Sequence, residues 1–371
     1  YGNYSYAQDN NYVPEEFNKY YFAVDGTQHT EPDEYGTIDQ VVSEVAHGGM
    51  LNIGYNYLDV LRLKYTKLYT KNSVKTTRLL DGIIGSDQSH LTKYYLNWEE
   101  REMNVDQFSG DFDYQIFDLN SNFKFGFEYA TAELYQPNDY QYTYITEGDG
   151  LPFNDNKLPN HLANRLSSDD TLDAMYLKNR HTLNLFDVDE YIEYGINISS
   201  KERISRQNKY KLDKVGDSFI DDTQLVQDID TIYSSFVLPD YPYELRPFLI
   251  ASQFKAEDYF DGYVDETSPY VSWMSKPLEN VEVVLGVRYV DLEQTIYQYK
   301  EGPGRLIERV PETLSIDDYF PSISVKYKYS EKQYFDFAAS KTYIMPDMRE
   351  FTEGEYFHPT DIATVVGNPD L

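Results

Sequence analysis

The clearest regularity in the chain is alternation. After Val281, the residues Val283, Leu285, Val287 and Tyr289 fall at every second position, with Glu282, Gly286 and Arg288 between them. A strand points successive side chains to opposite faces, so this pattern makes one apolar face and one polar face. A turn over Ser275-Lys276-Pro277-Leu278-Glu279-Asn280, with Tyr270, Trp273 and Met274 just before it, predicts a hairpin over Tyr270–Tyr297. Four further stretches follow the same rule. Residues 37–46 turn at His47-Gly48-Gly49 into Leu51, Ile53, Tyr55 and Tyr57, continuing through Leu61, Leu63 and Tyr65. Val105–Ile116 turns over 118–122 into Phe123, Phe125, Phe127 and Tyr129, opposite Asn122, Lys124, Gly126 and Glu128. Tyr176–Leu185 turns near Asp187-Val188-Asp189 into Ile192, Tyr194, Ile196 and Ile198, opposite Glu193, Gly195 and Asn197. Phe320–Tyr343 carries Ile323, Val325, Tyr327 and Tyr329, a Ser330-Glu331-Lys332 turn, and then Phe335, Phe337 and Ala339.

Between the hairpins the chain reads as loop. Residues 1–36, 67–104 (with a short strand at Tyr94–Trp98), 136–175, 207–262 (weakly helical over Leu225–Phe236) and the stretch around Gly302-Pro303-Gly304 are polar and rich in turn residues. Short turns thus alternate with polar connections of roughly 20 to 50 residues, unlike the ~8–12-residue turn spacing of a soluble sandwich. Outer-membrane barrels have this asymmetry, with short periplasmic turns and long extracellular loops. The expected fold class is all-β: a transmembrane antiparallel up-and-down β-barrel with ten visible crossings and long extracellular loops. Its apolar face would meet lipid. Lys124, Glu128, Glu193, Glu282, Arg288, Lys326 and Lys328 would then face the lumen, since a Lys or Arg on the lipid face costs ~2–4 kcal/mol at mid-depth. Those charges would solvate the lumen or pair with a plug rather than touch substrate.

Composition narrows the choice of partner. A net charge of -31 repels phosphates, so no nucleic acid partner is expected. Cysteine is absent, which removes disulfide scaffolds and thiolate sites. No run of ~18 apolar residues is present, so no transmembrane helix is expected, whereas the shorter alternating segments of a barrel remain compatible with a mean hydropathy of -0.62. The 38 Tyr and 20 Phe beside only 2 Trp fit either ordinary β-propensity or aromatic girdles at membrane interfaces.

Candidate chemistry is sparse. The six histidines, His29, His47, His90, His161, His181 and His358, stand singly without a metal-binding spacing. Gly148-Asp149-Gly150 and Gly302-Pro303-Gly304 are too short to cradle a phosphate, and no Gly-x-Ser-x-Gly elbow is present. No enzyme activity and no cofactor are expected. Asp217, Asp221, Asp222, Asp228 and Asp230 could hold a hard cation such as calcium or form a solvated acidic loop. Tyr140, Tyr142, Tyr144 and Phe153, placed in the 136–175 connection, could stack on a sugar or an aromatic chelate, or pack that connection against its neighbours.

The last hundred residues carry a resemblance. Leu285-Gly286-Val287-Arg288-Tyr289 resembles the recurring Gly-x-Arg-Tyr strand of the TonB-dependent receptors of Gram-negative outer membranes. Phe320-Pro321-Ser322-Ile323-Ser324-Val325, Ala338-Ala339-Ser340-Lys341-Thr342, Pro346-Asp347, Arg349-Glu350 and Gly367-Asn368-Pro369-Asp370-Leu371 follow in the order of that family. Met345 stands where the family usually has arginine before the proline. The resemblance implies a 22-stranded barrel filled by a plug, of which residues 1–371 are expected to be a middle portion, one partial barrel domain without plug, TonB box or final strands. It further implies an outer-membrane location, contact with lipid and lipopolysaccharide, coupling to the TonB complex through the plug, and import of a scarce solute such as a siderophore-like iron chelate, a corrinoid or an oligosaccharide. A passive porin and a secreted β-rich binding or adhesive protein are the alternatives.

Overall fold

The structure, a computed structural model, describes residues 1–19, 34–84, 89–145, 162–183, 190–214, 248–252, 255–301, 307–358 and 363–368. It is an all-β antiparallel meander. Strands β1 (Gly2–Lys19), β2 (Glu34–Tyr57), β3 (Leu61–Ile84), β4 (Ser89–Ile116), β5 (Leu119–Ile145), β6 (Leu162–Leu183) and β7 (Glu190–Lys214) pair in chain order. After β8 (Phe248–Ser252), a short strand on β7, the path continues through β9 (Tyr259–Leu278), β10 (Val281–Glu301), β11 (Ile307–Ser330) and β12 (Gln333–Ser340). β13 (Glu355–His358) and β14 (Ala363–Val366) form a separate hairpin. This is the up-and-down order from which barrels are built.

Several strands are longer than the alternation suggests. β3 and β4 pair continuously from Leu61↔Phe112 to Ile84↔Ser89, so 67–84 and 89–104 are sheet rather than loop, and Gly2–Lys19 is an edge strand rather than loop. Tyr140, Tyr142 and Tyr144 likewise lie on β5 and not in a connection. The helical pattern at 225–236 and the acidic cluster at 217–230 lie outside the described residues.

The glycine turn at 47–49 is also corrected. β2 runs straight through it, Gly48 facing Thr70 and Gly49 facing Tyr69. The chain reverses instead at Leu58-Asp59, where the Val60 amide donates to the Tyr57 carbonyl at 3.0 Å and φ is 51° and 54°. Phe117-Asp118 repeats this, with φ of 49° and 64°. Two consecutive left-handed residues define the turn whose twist matches a hairpin, normally filled by Asn-Gly. A non-glycine residue there costs ~1–2 kcal/mol. Around the first turn a polar network offsets that strain: the Asn56 amide donates to Asp59 at 2.7 Å, and Arg62 donates to the Asp59 carbonyl at 3.1 Å, to Asp111 at 2.7 Å and to Asp113 at 2.6 Å.

The register sorts the side chains into two faces. On the outer face, Phe123 to Tyr129, Ile192 to Ile198 and Val283 to Tyr289 line up across β5, β7 and β10 with no charge among the outward positions. These side chains are not covered by protein: Ile53 is 56% exposed, Phe127 50% and Leu285 40%. Each run spans about 20 Å of strand at ~3.3 Å per residue, near the ~25 Å apolar band of membrane barrels. Tyrosines border it on both sides. Towards the long connections, Tyr289 and Tyr319 lie 5.1 Å apart, and the Tyr65 hydroxyl donates to Asp106 at 2.5 Å. Towards the short turns, Asn179 donates to the Tyr114 hydroxyl at 2.7 Å beside His181 and Tyr194, whose rings are 5.7 Å apart. Beyond the first border the outer positions become Lys67, Asp106, Asp173, Asp265 and Asp291.

Two outcomes follow from this arrangement. Replacing Leu58-Asp59 by Asn-Gly is expected to raise stability by about 1–2 kcal/mol, read as a higher urea midpoint in detergent or vesicles. Ile196→Lys on the outer band is expected to cost ~2–4 kcal/mol of folding into a bilayer, whereas Thr313→Lys, outside the band on β11, should cost little in the same titration.

Candidate functional site

The inner face is where the chain closes on itself. After β12, residues 341–354 turn back and lie as a strap across the inner positions of β7, β9, β10 and β11. A single 3-10 turn at Met348–Phe351 is capped by the Asp347 carboxylate, which accepts from the Arg349 amide at 2.9 Å, while the Asp347 amide donates to Glu350 at 3.1 Å. Met348 and Phe351 bury themselves against Phe260 and Ile296, each no more than 4% exposed. Inner-face amides fix the strap backbone: Gln298 donates to the Phe351 carbonyl at 2.7 Å and Gln294 to the Pro346 carbonyl at 3.4 Å. Lys300 pairs with Glu353 at 2.8 Å, and Lys341 pairs with Asp318.

Arg203 is the main electrostatic tie. Its guanidinium donates twice to Asp170 on the neighbouring strand, at 2.7 Å for both nitrogens, and twice to Asp347 on the strap, at 3.0 and 3.1 Å. This planar fork holds wall and strap together in a way that a lysine could not reproduce. The Asp170 carboxylate raises the Arg203 guanidinium further above its already high value, so it stays charged.

Next to this tie, well beyond the apolar band, the inner face forms two adjoining hollows of about 340 and 410 Å³. They share Arg101, Leu134, Leu166 and Arg349. The first adds Met103, Asp170, Arg203 and Phe260; the second adds Gln40, Arg78, Tyr95, Asn97, Glu99, Gln136, Asp139, Asn164 and Gln207. The strand period places these polar side chains at alternate positions on β2 to β7, except that a bulge between Gln136 and Asp139 returns Asp139 to the inner face. The wall satisfies its own charges: Arg78 donates to Gln40 at 2.9 and 2.6 Å, Gln136 to Glu99 at 2.8 Å, and Asn164 to Asp139 at 3.3 Å. Arg101 pairs with Glu99 at 2.5 Å. Burial raises the Asp139 carboxyl above its ordinary value, and burial pushes the Tyr95 phenol up to about 12. No cluster among the described residues has the make-up of a metal site.

The sequence-predicted residues distribute as follows. Lys124, Glu128, Glu193, Glu282, Arg288, Lys326 and Lys328 share the inner face by register. Lys124 pairs with Asp111 at 3.0 Å, Glu128 accepts from Gln107 at 2.8 Å, and Glu193 accepts from Arg180 at 2.7 Å. Arg288 lies over the Tyr270 ring at 5.6 Å and Lys326 over Tyr334 at 4.5 Å, while Glu282 faces Lys326 across the strand pair. These lie nearer the short turns than the hollows do. Tyr140 takes an outer-face register opposite Leu96, away from the hollows. The side chains of Tyr142 and Tyr144, and the whole of Phe153, lie outside the described residues.

The two motifs near the end of the chain meet. Gly367 packs on the strap so tightly that a Cβ would stand 2.3 Å from the Thr352 carbonyl oxygen and 2.7 Å from those of Arg349 and Glu350. The Asn368 amide donates to the Glu350 carbonyl at 2.6 Å. Pro346 carries the bend into the strap and Arg349 reaches both hollows, whereas Pro369 lies outside the described residues. Arg203, Asp170, Asn97 and Asn164 gave no sequence signal, because both faces of their strands are polar at that height.

No protein-family model matches the chain, and no curated protein matches it. Among solved structures, it is similar to the siderophore receptor PiuA from Acinetobacter baumannii, at 10% identity and a TM-score of 0.39, over 87% of this chain and 47% of that one. The chain therefore spans about half the length of that receptor, and a likeness so distant decides nothing about function.

Removing the tie tests the strap. Arg203→Ala cuts Asp347 from the wall and leaves Asp170 paired only with Lys201 at 3.4 Å, and is expected to cost about 1–3 kcal/mol for a half-buried pair. Proteolytic cleavage within 341–354 should accelerate, with Arg203→Lys intermediate.

Proposed function

We propose that this chain is the wall of an outer-membrane receptor that imports a scarce solute, energised through TonB. One observation carries the reading: an uncharged, solvent-facing apolar band bordered by tyrosines runs across the outer face of an up-and-down sheet whose inner face is polar. A soluble protein rarely leaves so large a contiguous apolar surface uncovered, and lipid is the partner that matches its height and its aromatic borders. On this reading the short turns at 58–59, 117–118 and 279–280 are periplasmic and the hollows open towards the cell exterior. The reaction is transport, with no bond made or broken.

The strap separates this reading from its nearest rival. A passive porin needs an unobstructed lumen, whereas here the 341–354 segment is bonded across the inner face by Arg203, Gln294, Gln298 and Lys300. A wall that carries a fixed internal obstruction and a built hollow suits capture followed by energised release. The TonB complex, acting through a plug, and outer-membrane lipid with lipopolysaccharide are the partners this requires.

The test is uptake by cells that depend on this receptor. The parent protein should sediment with the outer membrane and require detergent for extraction, and solute uptake should stop on addition of a protonophore or on loss of TonB. Uptake that continues without energy would favour the porin, and recovery of the protein in the aqueous phase would favour a secreted binder.

A further inference from the structure

The larger of the two adjoining hollows is rich in carboxamides. Gln40, Asn97, Gln136, Asn164 and Gln207 converge there with Arg349 of the strap, beside Arg78, Arg101, Glu99 and Asp139. A carboxamide carries both a donor and an acceptor, so such a wall pairs with a ligand that presents both at every position. The charges are already committed within the wall. Both of its carboxylates, Glu99 and Asp139, accept from side chains of the same wall, which removes the anionic ligands that a hard cation would need. Leu134 and Leu166 supply apolar floor between the polar groups. The volume of about 410 Å³, widened by the adjoining 340 Å³, falls within the ~300–1,000 Å³ of ordinary ligand sites.

Position distinguishes this hollow from the rest of the lumen. From Asn97 to Phe108, the last band position before the collar on β4, is about 35 Å of strand at ~3.3 Å per residue. The hollow thus stands clear of the membrane, on the side of the long connections, where a solute arrives first. The charged inner positions nearer the turns, such as Lys124 and Glu193, are the ones within the membrane's height.

We propose that this hollow binds a neutral oligosaccharide, whose hydroxyl groups pair with the carboxamides and with Arg349 and whose ring faces rest on Leu134 and Leu166. The assignment rests on the receptor reading above and narrows it to one substrate class. Neutral hydroxyls match donors and acceptors that carry no net charge, and a site built to hydrogen-bond them rejects analogues that lack them by a large factor.

The experiment is calorimetric titration of the full-length receptor in detergent. The probes are hexamers of glucose, xylose and N-acetylglucosamine, a mannuronate hexamer as the charged sugar, and ferric citrate and ferrioxamine B as chelates. Saturable binding of at least one neutral hexamer is expected, weakened roughly tenfold by Asn97→Ala and by Asn164→Ala and unchanged by Thr313→Ala on the outer face. Asn164→Gln, which keeps the carboxamide, should retain more binding than Asn164→Ala, and heat-modifiable mobility on gels shows that each variant has folded. Binding of the chelates or mannuronate alone, of no probe, or with equal affinity in all variants would overturn the assignment. Energised chelate uptake with no sugar binding would sink the sugar and leave the receptor standing, whereas recovery in the aqueous phase would sink the receptor itself.

Discussion

Everything in this molecule depends on the two-residue period of the strand locked into one continuous register. Along the band the ladder is unbroken, so the backbone there has no freedom to turn a misplaced side chain around, and the register shifts lie outside it, as between Gln136 and Asp139 of β5. A commitment made at Val283 to Tyr289 therefore propagates through Val271, Tyr194, Leu177, Phe125 and Leu63 to Ile53 on the far side of the sheet. The outer band, the inner charges and the hollow are three consequences of that single rule, read at different heights along the same strands.

Where one face is apolar and the other polar, the sequence showed the rule plainly. Phe123 to Tyr129 and Val283 to Tyr289 announced their strands, their turns and their faces. Where both faces meet water the period persists in the backbone but has no contrast in the residues, so Thr76 and Arg78, or Asn97 and Glu99, look like loop. The result was an underestimate of strand length at one end of every hairpin, and with it the loss of the hollow, which is built at that end. The turns misled for a different reason. Gly48-Gly49 looked like a reversal but serves as ordinary strand, while the real reversals use Leu58-Asp59, held by a side-chain network, and Phe117-Asp118, neither of them the Asn-Gly expected at positive φ.

The strap gives the terminal motifs a physical meaning. Pro346, Asp347, Arg349 and Glu350 form a capped turn that Arg203 and Gln298 fasten to the wall, and Gly367 is small because three carbonyl oxygens surround its α-carbon. Their order in the chain was readable, and their meeting was not, because it requires the chain to double back over strands that lie far away in sequence. The strap also places a compact buried cluster of Phe260, Ile296, Met348 and Phe351 on the inner side of the sheet, while the outer apolar side chains stay uncovered by protein.

The hollow is made of strands, and that sets how its selectivity can change over generations. A binding site on loops can be remodelled by inserting or deleting residues, each step altering shape a little. Here a single insertion in β4 or β6 would turn later side chains to the opposite face unless a bulge absorbed it, as one does between Gln136 and Asp139 of β5. The route that leaves the frame untouched is replacement of one inward side chain at a time. Homologues of this chain should therefore differ in the hollow by point changes at alternate positions and by local bulges, while the band below keeps its register.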